Sequence, residues 1–217
     1  CHAVRQAPYS ILSESYRRFR TTFELSAAGK AKSILVSGGM PGDGTTSVAV
    51  NLATSFVMEN KKVVLIDANF RRPSLQKVFP GVEGGEAGLS NVLAGRCAAK
   101  DAIRSSGVDG LDLIDAGPMP SNPAEMLGGV QMVELIKELC KSYDHVIIDG
   151  PPVLLVSDAK VLAKVVDVAV LVFNAAATRR GAAQRTIREL QEVDAQIAGC
   201  VLFGARAMKG CYFHEQY

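Results

Sequence analysis

A glycine-rich segment in the first quarter of the chain has the spacing of a phosphate-binding loop. Gly39, Gly44, Thr45 and Thr46 fall on the pattern GxxxxGK[ST], with Thr45 at the lysine position. Glycines let the backbone turn its N–H groups towards a phosphate, and the helix that follows adds partial positive charge. A glycine turn that binds no ligand is the alternative interpretation. The nucleotide-binding residues predicted from this segment are Gly39, Gly42, Asp43, Gly44, Thr45, Thr46 and Ser47.

Two apolar runs further along the chain each end in an aspartate. These residues are Asp67 and Asp149, and Asn69 follows the first of them two positions later. Carboxylates at the carboxyl edge of an α/β sheet bind Mg²⁺ or accept a proton from an attacking hydroxyl. A single such aspartate is more typical of a turn or a helix cap, whereas two beside a phosphate loop indicate a site. The predicted catalytic positions are Asp67, Asn69 and Asp149, and the predicted Mg²⁺ ligands are Thr46, Asp67 and Asp149.

These candidates need a sheet that brings several strand ends to one edge. Short apolar runs rich in β-branched residues alternate with longer stretches of helical period. Near-continuous apolar strands are typical of a parallel sheet buried on both faces. The alternating order therefore predicts a doubly wound, mainly parallel α/β fold. Strands are predicted at 33–37, 62–67, 111–115, 145–149, 168–173 and 197–203, helices at 13–25, 46–58, 123–142, 157–164 and 179–193, and loops at 81–88 and 107–110.

The composition suits one globular domain over residues 1–217. Apolar residues make up 48% of the chain and charged residues 21%, an ordinary balance for a single packed core. The 24 basic and 22 acidic residues are mixed along the sequence, which argues against a nucleic-acid partner. No apolar run approaches the roughly 20 residues of a membrane helix. Because the first residue is Cys1 rather than Met, we expect a piece of a longer protein, with any membrane anchor in the missing part.

The cysteines and histidines show no metal-binding or disulfide pattern. The 5 cysteines lack CxxC spacing, and the 3 histidines are far apart. This distribution predicts free thiols in a reducing cytoplasm rather than a disulfide framework or a zinc site.

The loop and the first acidic segment belong to a pattern that covers nearly the whole chain. Its other members are Glu14-Ser-Tyr-Arg17-Arg-Phe-Arg20, Gly88-Leu-Ser-Asn-Val-Leu-Ala-Gly95, Asn122-Pro-Ala-Glu125 and Asp149-Gly-Pro-Pro-Val153. In these motifs the chain resembles the cytoplasmic catalytic domain of bacterial tyrosine kinases, the BY-kinases of capsule and exopolysaccharide export. The resemblance implies the deviant P-loop fold shared with chromosome-partitioning and division-site ATPases.

The resemblance also implies an activity and partners. The family transfers the γ-phosphate of ATP, with Mg²⁺, to a C-terminal tyrosine cluster, often on the neighbouring subunit of a ring. It works at the cytoplasmic face of the bacterial inner membrane with a chain-length regulator (a polysaccharide co-polymerase) that is fused or separate. If the family's roles are transferred to the matching positions of this chain, Glu14, Arg17 and Arg20 in region 1–30 mediate homo-oligomerisation. Tyr212 and Tyr217 in tail 205–217 are then the phosphate acceptors.

The sequence departs from the family pattern at four places. Thr45 replaces the loop lysine, and Asn69 replaces the second aspartate of the acidic motif. Leu202-Phe203 stands where the family has Leu-Asn near the adenine site. The tyrosine cluster is reduced to Tyr212 and Tyr217. The first two departures both remove charge from the phosphoryl-transfer site.

The missing lysine has the largest expected effect. A cation about 4 Å from a phosphate charge contributes roughly 4 kcal/mol at an effective dielectric near 20. Hydrogen bonds to charged groups are worth about 1.5–3 kcal/mol net, so we expect ATP affinity to fall roughly 10- to 100-fold. Transfer should suffer further, because positioned charge stabilises the moving phosphoryl group. The favoured interpretation is therefore a regulatory or structural domain with weak or no kinase activity.

Two alternatives remain open. An active tyrosine autokinase would use a rearranged cationic group, such as Arg71 or Arg72, in place of the lysine. A partitioning-type ATPase expects a further lysine at the start of the loop and, for membrane binding, a basic amphipathic tail. Ser37-Gly38-Gly39 and the last six residues supply neither.

Overall fold

The central feature of the fold is one sheet of seven strands with helices on both faces. The computed structural model describes residues 7, 9–80 and 87–205. The strand order is β3-β4-β2-β5-β1-β6-β7, and every neighbouring pair is parallel except β3 and β4. The strands are β1 Ser33–Gly38, β2 Val63–Asp67, β3 Ile103–Val108, β4 Leu111–Ile114, β5 His145–Asp149, β6 Val168–Asn174 and β7 Ile197–Phe203. The predicted doubly wound, mainly parallel α/β fold is confirmed.

Helices fill the connections between the strands. They are α1 Ile11–Leu25, α2 Thr45–Val57, α3 Leu75–Val78, α4 Leu89–Leu93, α5 Ala99–Ala102, α6 Pro123–Leu127, α7 Val130–Ser142, α8 Asp158–Val165 and α9 Arg180–Gln191, with a 3₁₀ turn at Ala27–Lys30. Among the described residues, none of these helices is both long and apolar enough to cross a bilayer.

The predicted helix 123–142 is two helices in the structure. Pro123 occupies the first turn of α6, where its missing N–H costs nothing, and α6 ends at Leu127 with Gly128 as its C-cap. Gly129 has extended backbone and caps the start of α7. The chain therefore turns at the glycine pair, although apolar residues continue with helical spacing on both sides.

Strand β3 was not predicted, and part of it lies in the predicted loop 107–110. Its inward-facing residues are polar: Arg104 and Ser106 are buried, while their neighbours are more exposed. Arg104 forms an ion pair with Asp115 (Nη2 to Oδ1, 2.9 Å), and the Ser106 hydroxyl donates to the Leu111 carbonyl at 2.6 Å. This strand is antiparallel to β4 at the sheet edge, with a register shift beside Gly107. Because its buried side chains are polar, hydrophobic periodicity could not identify it.

The core has one apolar cluster on each face of the sheet. Helices α1 and α2 cover one face through residues such as Phe23 and Phe56. Helices α4 to α9 contribute to the other, where Leu135 and Leu162 are buried. Strands β1, β2 and β5 are buried along their full length, which explains their continuous apolar runs. Their carboxyl ends therefore meet at one edge of the sheet.

Candidate functional site

The predicted phosphate loop connects β1 to α2 at this edge. Gly42 and Gly44 have φ angles of 91° and 94°, a left-handed conformation that side chains disfavour. Gly44 is the N-cap of α2 and contributes no side-chain cap. The first N–H groups of α2 are therefore suited to bind an anion, supported by the helix dipole.

The two predicted aspartates are brought together at the ends of adjacent strands. Asp67 and Asp149 are direct partners in the register of β2 and β5. The Thr46 hydroxyl donates to Oδ2 of Asp149 at 2.6 Å and lies 2.9 Å from the Ser74 hydroxyl. Asp67 accepts backbone N–H groups from Asn69, Ser74 and Leu75 at 3.1, 2.7 and 3.0 Å. Thr46, Asp67 and Asp149 thus form one cluster of oxygen atoms.

Ser74 is a member of this cluster that sequence reasoning missed. Its hydroxyl contacts Thr46 and lies 3.4 Å from Asp149, while its N–H binds Asp67. A serine that directly precedes a helix is a recognisable helix-start signal. That signal could have located α3, but not the contact with Asp149.

Burial changes the protonation of both carboxyl groups. Burial, followed by the nearby charge of Asp67, raises the pKa of Asp149 to about 8, although hydrogen bonds from Thr46 and Ser74 oppose the shift. Burial also raises the pKa of Asp67, against the lowering effect of its three N–H donors. Two buried carboxyls this close cannot both ionise easily unless a cation joins them.

Beside the loop lies a cavity of about 420 Å³. Its wall includes Gly42, Gly44, Thr45, Thr46 and Ser47 from the loop. The rest of the wall consists of Asn69, Arg71, Arg72, Ser74, Gly150, Pro151, Pro152, Leu155 and Val156, with Met40 and Pro41 from the start of the loop. The Asn69 side chain accepts the Arg72 N–H at 3.2 Å, so it supports the turn as well as lining the cavity. No lysine lines this cavity among the residues that the structure describes.

Gly39 and Asp43, also predicted to bind nucleotide, are not part of this cavity wall. The Asp43 carboxylate is buried, accepts the Met40 N–H at 2.8 Å and accepts the Thr178 hydroxyl at 2.5 Å. A Cβ on Gly39 would lie 2.5 Å from the Thr186 hydroxyl oxygen, so only glycine allows helix α9 to approach this closely. Both residues therefore support the loop through contacts with Thr178 and Thr186.

Phe203 packs on the back of the same loop. A Cβ on Gly44 would lie 2.5 Å from the Phe203 ring, so ring and backbone are in direct contact. Phe203 belongs to the apolar cluster that includes α2 and is absent from the cavity wall. The departure from Leu-Asn at this point therefore adds an apolar support to the loop.

The predicted oligomerisation residues have different environments. Glu14 and Arg17 form an intrahelical ion pair at 3.1 Å on α1. Arg20 is buried, with Nη1 donating to the Ser55 carbonyl at 2.7 Å and Nη2 to Glu59 at 2.9 Å. Arg20 thus joins α1 to α2 within the chain. The predicted acceptors Tyr212 and Tyr217 lie outside the described residues.

Several known proteins are similar in sequence to this chain along most of its length. A family model described as an AAA domain matches residues 31–198. Tyrosine-protein kinase YwqD of Bacillus subtilis (strain 168) is 36% identical over 211 residues, which are 97% of this chain and 86% of that protein. Tyrosine-protein kinase etk of Escherichia coli (strain K12) is 32% identical over 192 residues, which are 88% of this chain but 26% of that protein. The chain thus spans most of one relative and about a quarter of the other.

Solved structures share the fold. The kinase domain of Escherichia coli tyrosine kinase ETK superimposes with a TM-score of 0.88 and 30% identity, covering 96% of this chain and 81% of that chain. The septum site-determining protein MinD of Pyrococcus horikoshii, complexed with Mg-ADP, has a TM-score of 0.67 and 25% identity, covering 80% and 71%. The P-loop fold is therefore confirmed, and the chain belongs to the family of bacterial tyrosine kinases.

Proposed function

We propose that this chain is an ATP·Mg²⁺-binding domain of the bacterial tyrosine-kinase type that regulates polysaccharide polymerisation or export, with weak or absent phosphoryl transfer. The supporting observation is the neutral Thr45 in the wall of a cavity that also includes Gly42, Gly44 and Thr46 of the loop. Glycine turns, the Thr46 hydroxyl and two aspartates remain, but the lysine charge is missing. Phosphoryl transfer depends mainly on positioned charge, so its rate should suffer more than ATP binding.

The residues present fit a magnesium nucleotide in most respects. Asp67, Asp149 and Thr46 provide the hard oxygen atoms that Mg²⁺ prefers. Gly42 has a positive φ angle and open space where a Cβ would lie, so a phosphate oxygen can come close to the backbone there. Bound Mg²⁺ would supply positive charge to the phosphates and to the two carboxylates. The raised pKa of Asp149 supports this assignment, because a bound cation would offset both the burial and the repulsion from Asp67 that raise it.

We further propose homo-oligomerisation and assembly with a membrane chain-length regulator at the cytoplasmic face of the bacterial inner membrane. The support is the motif resemblance and the different lengths of the relatives. The chain spans 86% of YwqD but 26% of etk. These proportions are compatible with a regulator that is either separate from the kinase domain or fused to it.

An active tyrosine autokinase is the second candidate, and one observation favours it. Arg71 and Arg72 both line the cavity, so positive charge is present near the loop. The partitioning-type ATPase remains the weaker candidate, because the loop begins with Ser37-Gly38-Gly39 and lacks the additional lysine.

Calorimetric titration with ADP·Mg²⁺ and ATP·Mg²⁺ tests the proposed binding. We expect ATP to bind roughly 10- to 100-fold more weakly than it binds the Thr45→Lys variant. Mass spectrometry after incubation with ATP·Mg²⁺ should show little phosphate on Tyr212 or Tyr217. Heat-silent titrations of both proteins would refute nucleotide binding, whereas stoichiometric phosphotyrosine would establish the active-kinase alternative.

A further inference from the structure

The cavity has lost its lysine but contains two arginines. Arg71 and Arg72 are the only basic residues in its wall among the described part of the chain. Among the described residues, these two are therefore the candidates for a protein cation that faces phosphates bound in this cavity. Their different environments decide between the two.

Arg71 is anchored by a buried carboxylate. Its Nε donates to Oδ2 of Asp158 at 3.2 Å. The Asp158 side chain is 1% exposed, whereas that of Arg71 is 43% exposed. Asp158 lies in the first turn of α8, and its Oδ1 is buried without a hydrogen-bond partner among the described residues. The buried acid thus holds one edge of a guanidinium group that reaches the cavity.

The other edge of that guanidinium is available. The Nη groups of Arg71 have no hydrogen-bond partner in residues 7, 9–80 and 87–205. An arginine presents several donors in a planar fork, so it can bind a carboxylate on one edge and a phosphate on the other. An anchored side chain also loses less conformational entropy when it binds its second partner.

Arg72 lacks such an anchor. It is exposed, and its described hydrogen bond is from the backbone N–H to Asn69. We infer that Arg71, positioned by Asp158, supplies to the terminal phosphates of ATP the charge that lysine supplies at position 45 in related loops. This inference rests on the proposed nucleotide binding. Asp158 is accordingly a positioning residue. Because its negative charge offsets part of the positive charge of Arg71, Arg71 should stabilise bound phosphates less than a lysine at position 45 would.

A double-mutant cycle between Arg71 and Thr45 tests the inference through binding alone. Dissociation constants for ATP·Mg²⁺ and for tripolyphosphate are measured by calorimetry for the native protein, Arg71→Ala, Thr45→Lys and the double variant. We expect Arg71→Ala to weaken binding by on the order of 10-fold in the native protein, and by less than about 3-fold in the Thr45→Lys background. A loss of equal size in both backgrounds would overturn the inference.

Arg71→Lys separates the phosphate contact from folding. Lysine can still pair with Asp158, but its compact ammonium cannot serve a second anion as the arginine fork does. This variant should keep the native unfolding temperature and still bind ATP several-fold more weakly. Native affinity in Arg71→Lys would show that only charge near Asp158 is needed, and would overturn the inference.

Two further variants complete the design. Arg72→Ala should weaken ATP binding less than Arg71→Ala, and an equal or larger loss would overturn the assignment to Arg71. Arg96→Ala removes an exposed charge outside the cavity and controls for net charge. Binding by Thr45→Lys but not by the native protein would overturn the Arg71 inference alone. Binding by neither would also refute the proposed function.

Discussion

The hydroxyl of Thr46 donates a 2.6 Å hydrogen bond to the carboxyl of Asp149. This contact joins the first turn of α2 to the carboxyl end of β5 and aligns the phosphate loop with the acidic strand ends. Because Asp149 is buried beside Asp67, its pKa rises to about 8. In the absence of a bound cation, this carboxyl therefore carries a proton at neutral pH.

This raised pKa predicts a pH-dependent effect of Asp149→Asn on stability. The folded protein binds the proton more tightly than the unfolded chain, so the stabilisation is complete below about pH 4 and is lost as the pH rises through about 8. Asparagine carries no charge at any pH. In EDTA-containing buffer, urea unfolding should show the variant at least about 1 kcal/mol more stable than the native protein at pH 8, the value of one pKa unit.

The difference in unfolding free energy should shrink towards pH 4. Asp109→Asn is the matched control, because Asp109 is exposed in the turn between β3 and β4. A stability difference for Asp149→Asn that stays constant across this pH range would contradict the assignment.

Restoring both missing charges should restore phosphoryl transfer more than additively. Thr45→Lys should tighten ATP binding by about 1–3 kcal/mol, the range of a charge-assisted hydrogen bond. Tighter binding alone need not raise turnover, whereas Asn69→Asp adds a second carboxylate beside Asp67. Tyrosine phosphorylation measured by mass spectrometry should be greater in the double variant than the single changes predict, since both groups act on one phosphoryl group.

The repair experiment also tests whether the cavity can accept ATP. Phe203 packs against Gly44 outside the cavity wall, so it should not obstruct the phosphates. Unchanged ATP affinity in Thr45→Lys would show instead that another part of the nucleotide pocket has closed.

We predict that Glu14 and Arg17 contribute to self-association. They lie close together on α1, and residues spaced by three positions share one side of a helix. Light scattering over a concentration series should show oligomers that Glu14→Ala combined with Arg17→Ala dissociates. Lys137→Ala with Glu138→Ala is a charge-matched control on exposed positions of α7. A native protein that stays monomeric at every concentration would contradict the prediction.

We predict that Arg20 contributes to the stability of the folded chain rather than directly to self-association. Its guanidinium is buried and bridges α1 to Ser55 and Glu59 of the following helix region. We expect Arg20→Ala to lower the free energy of unfolding by about 2–3 kcal/mol, because charged hydrogen bonds inside the protein are lost. Arg18→Ala, at an exposed position of the same helix, should have little effect in the same urea titration. A stable but dissociated Arg20→Ala variant would argue for a direct role in the interface.

The sequence alone determined the elements whose signals are local. Buried parallel strands are continuous apolar runs, so β1, β2 and β5 could be predicted, together with the aspartates that end β2 and β5. The glycine spacing likewise predicted the loop between β1 and α2, because backbone φ angles depend on residue type at each position. Once those strands are parallel neighbours, the meeting of Asp67 and Asp149 follows.

Only the tertiary structure decided which side chains meet across long separations. Arg71 and Asp158 are 87 positions apart, and Thr46 and Asp149 are 103 apart. The sequence pattern also could not distinguish the buried Arg20 from its exposed neighbours, or show that Asp43 is buried and hydrogen-bonded to Thr178. Charged residues carry no local signal of their partner, because the energy of a polar contact depends on burial and geometry created by distant elements.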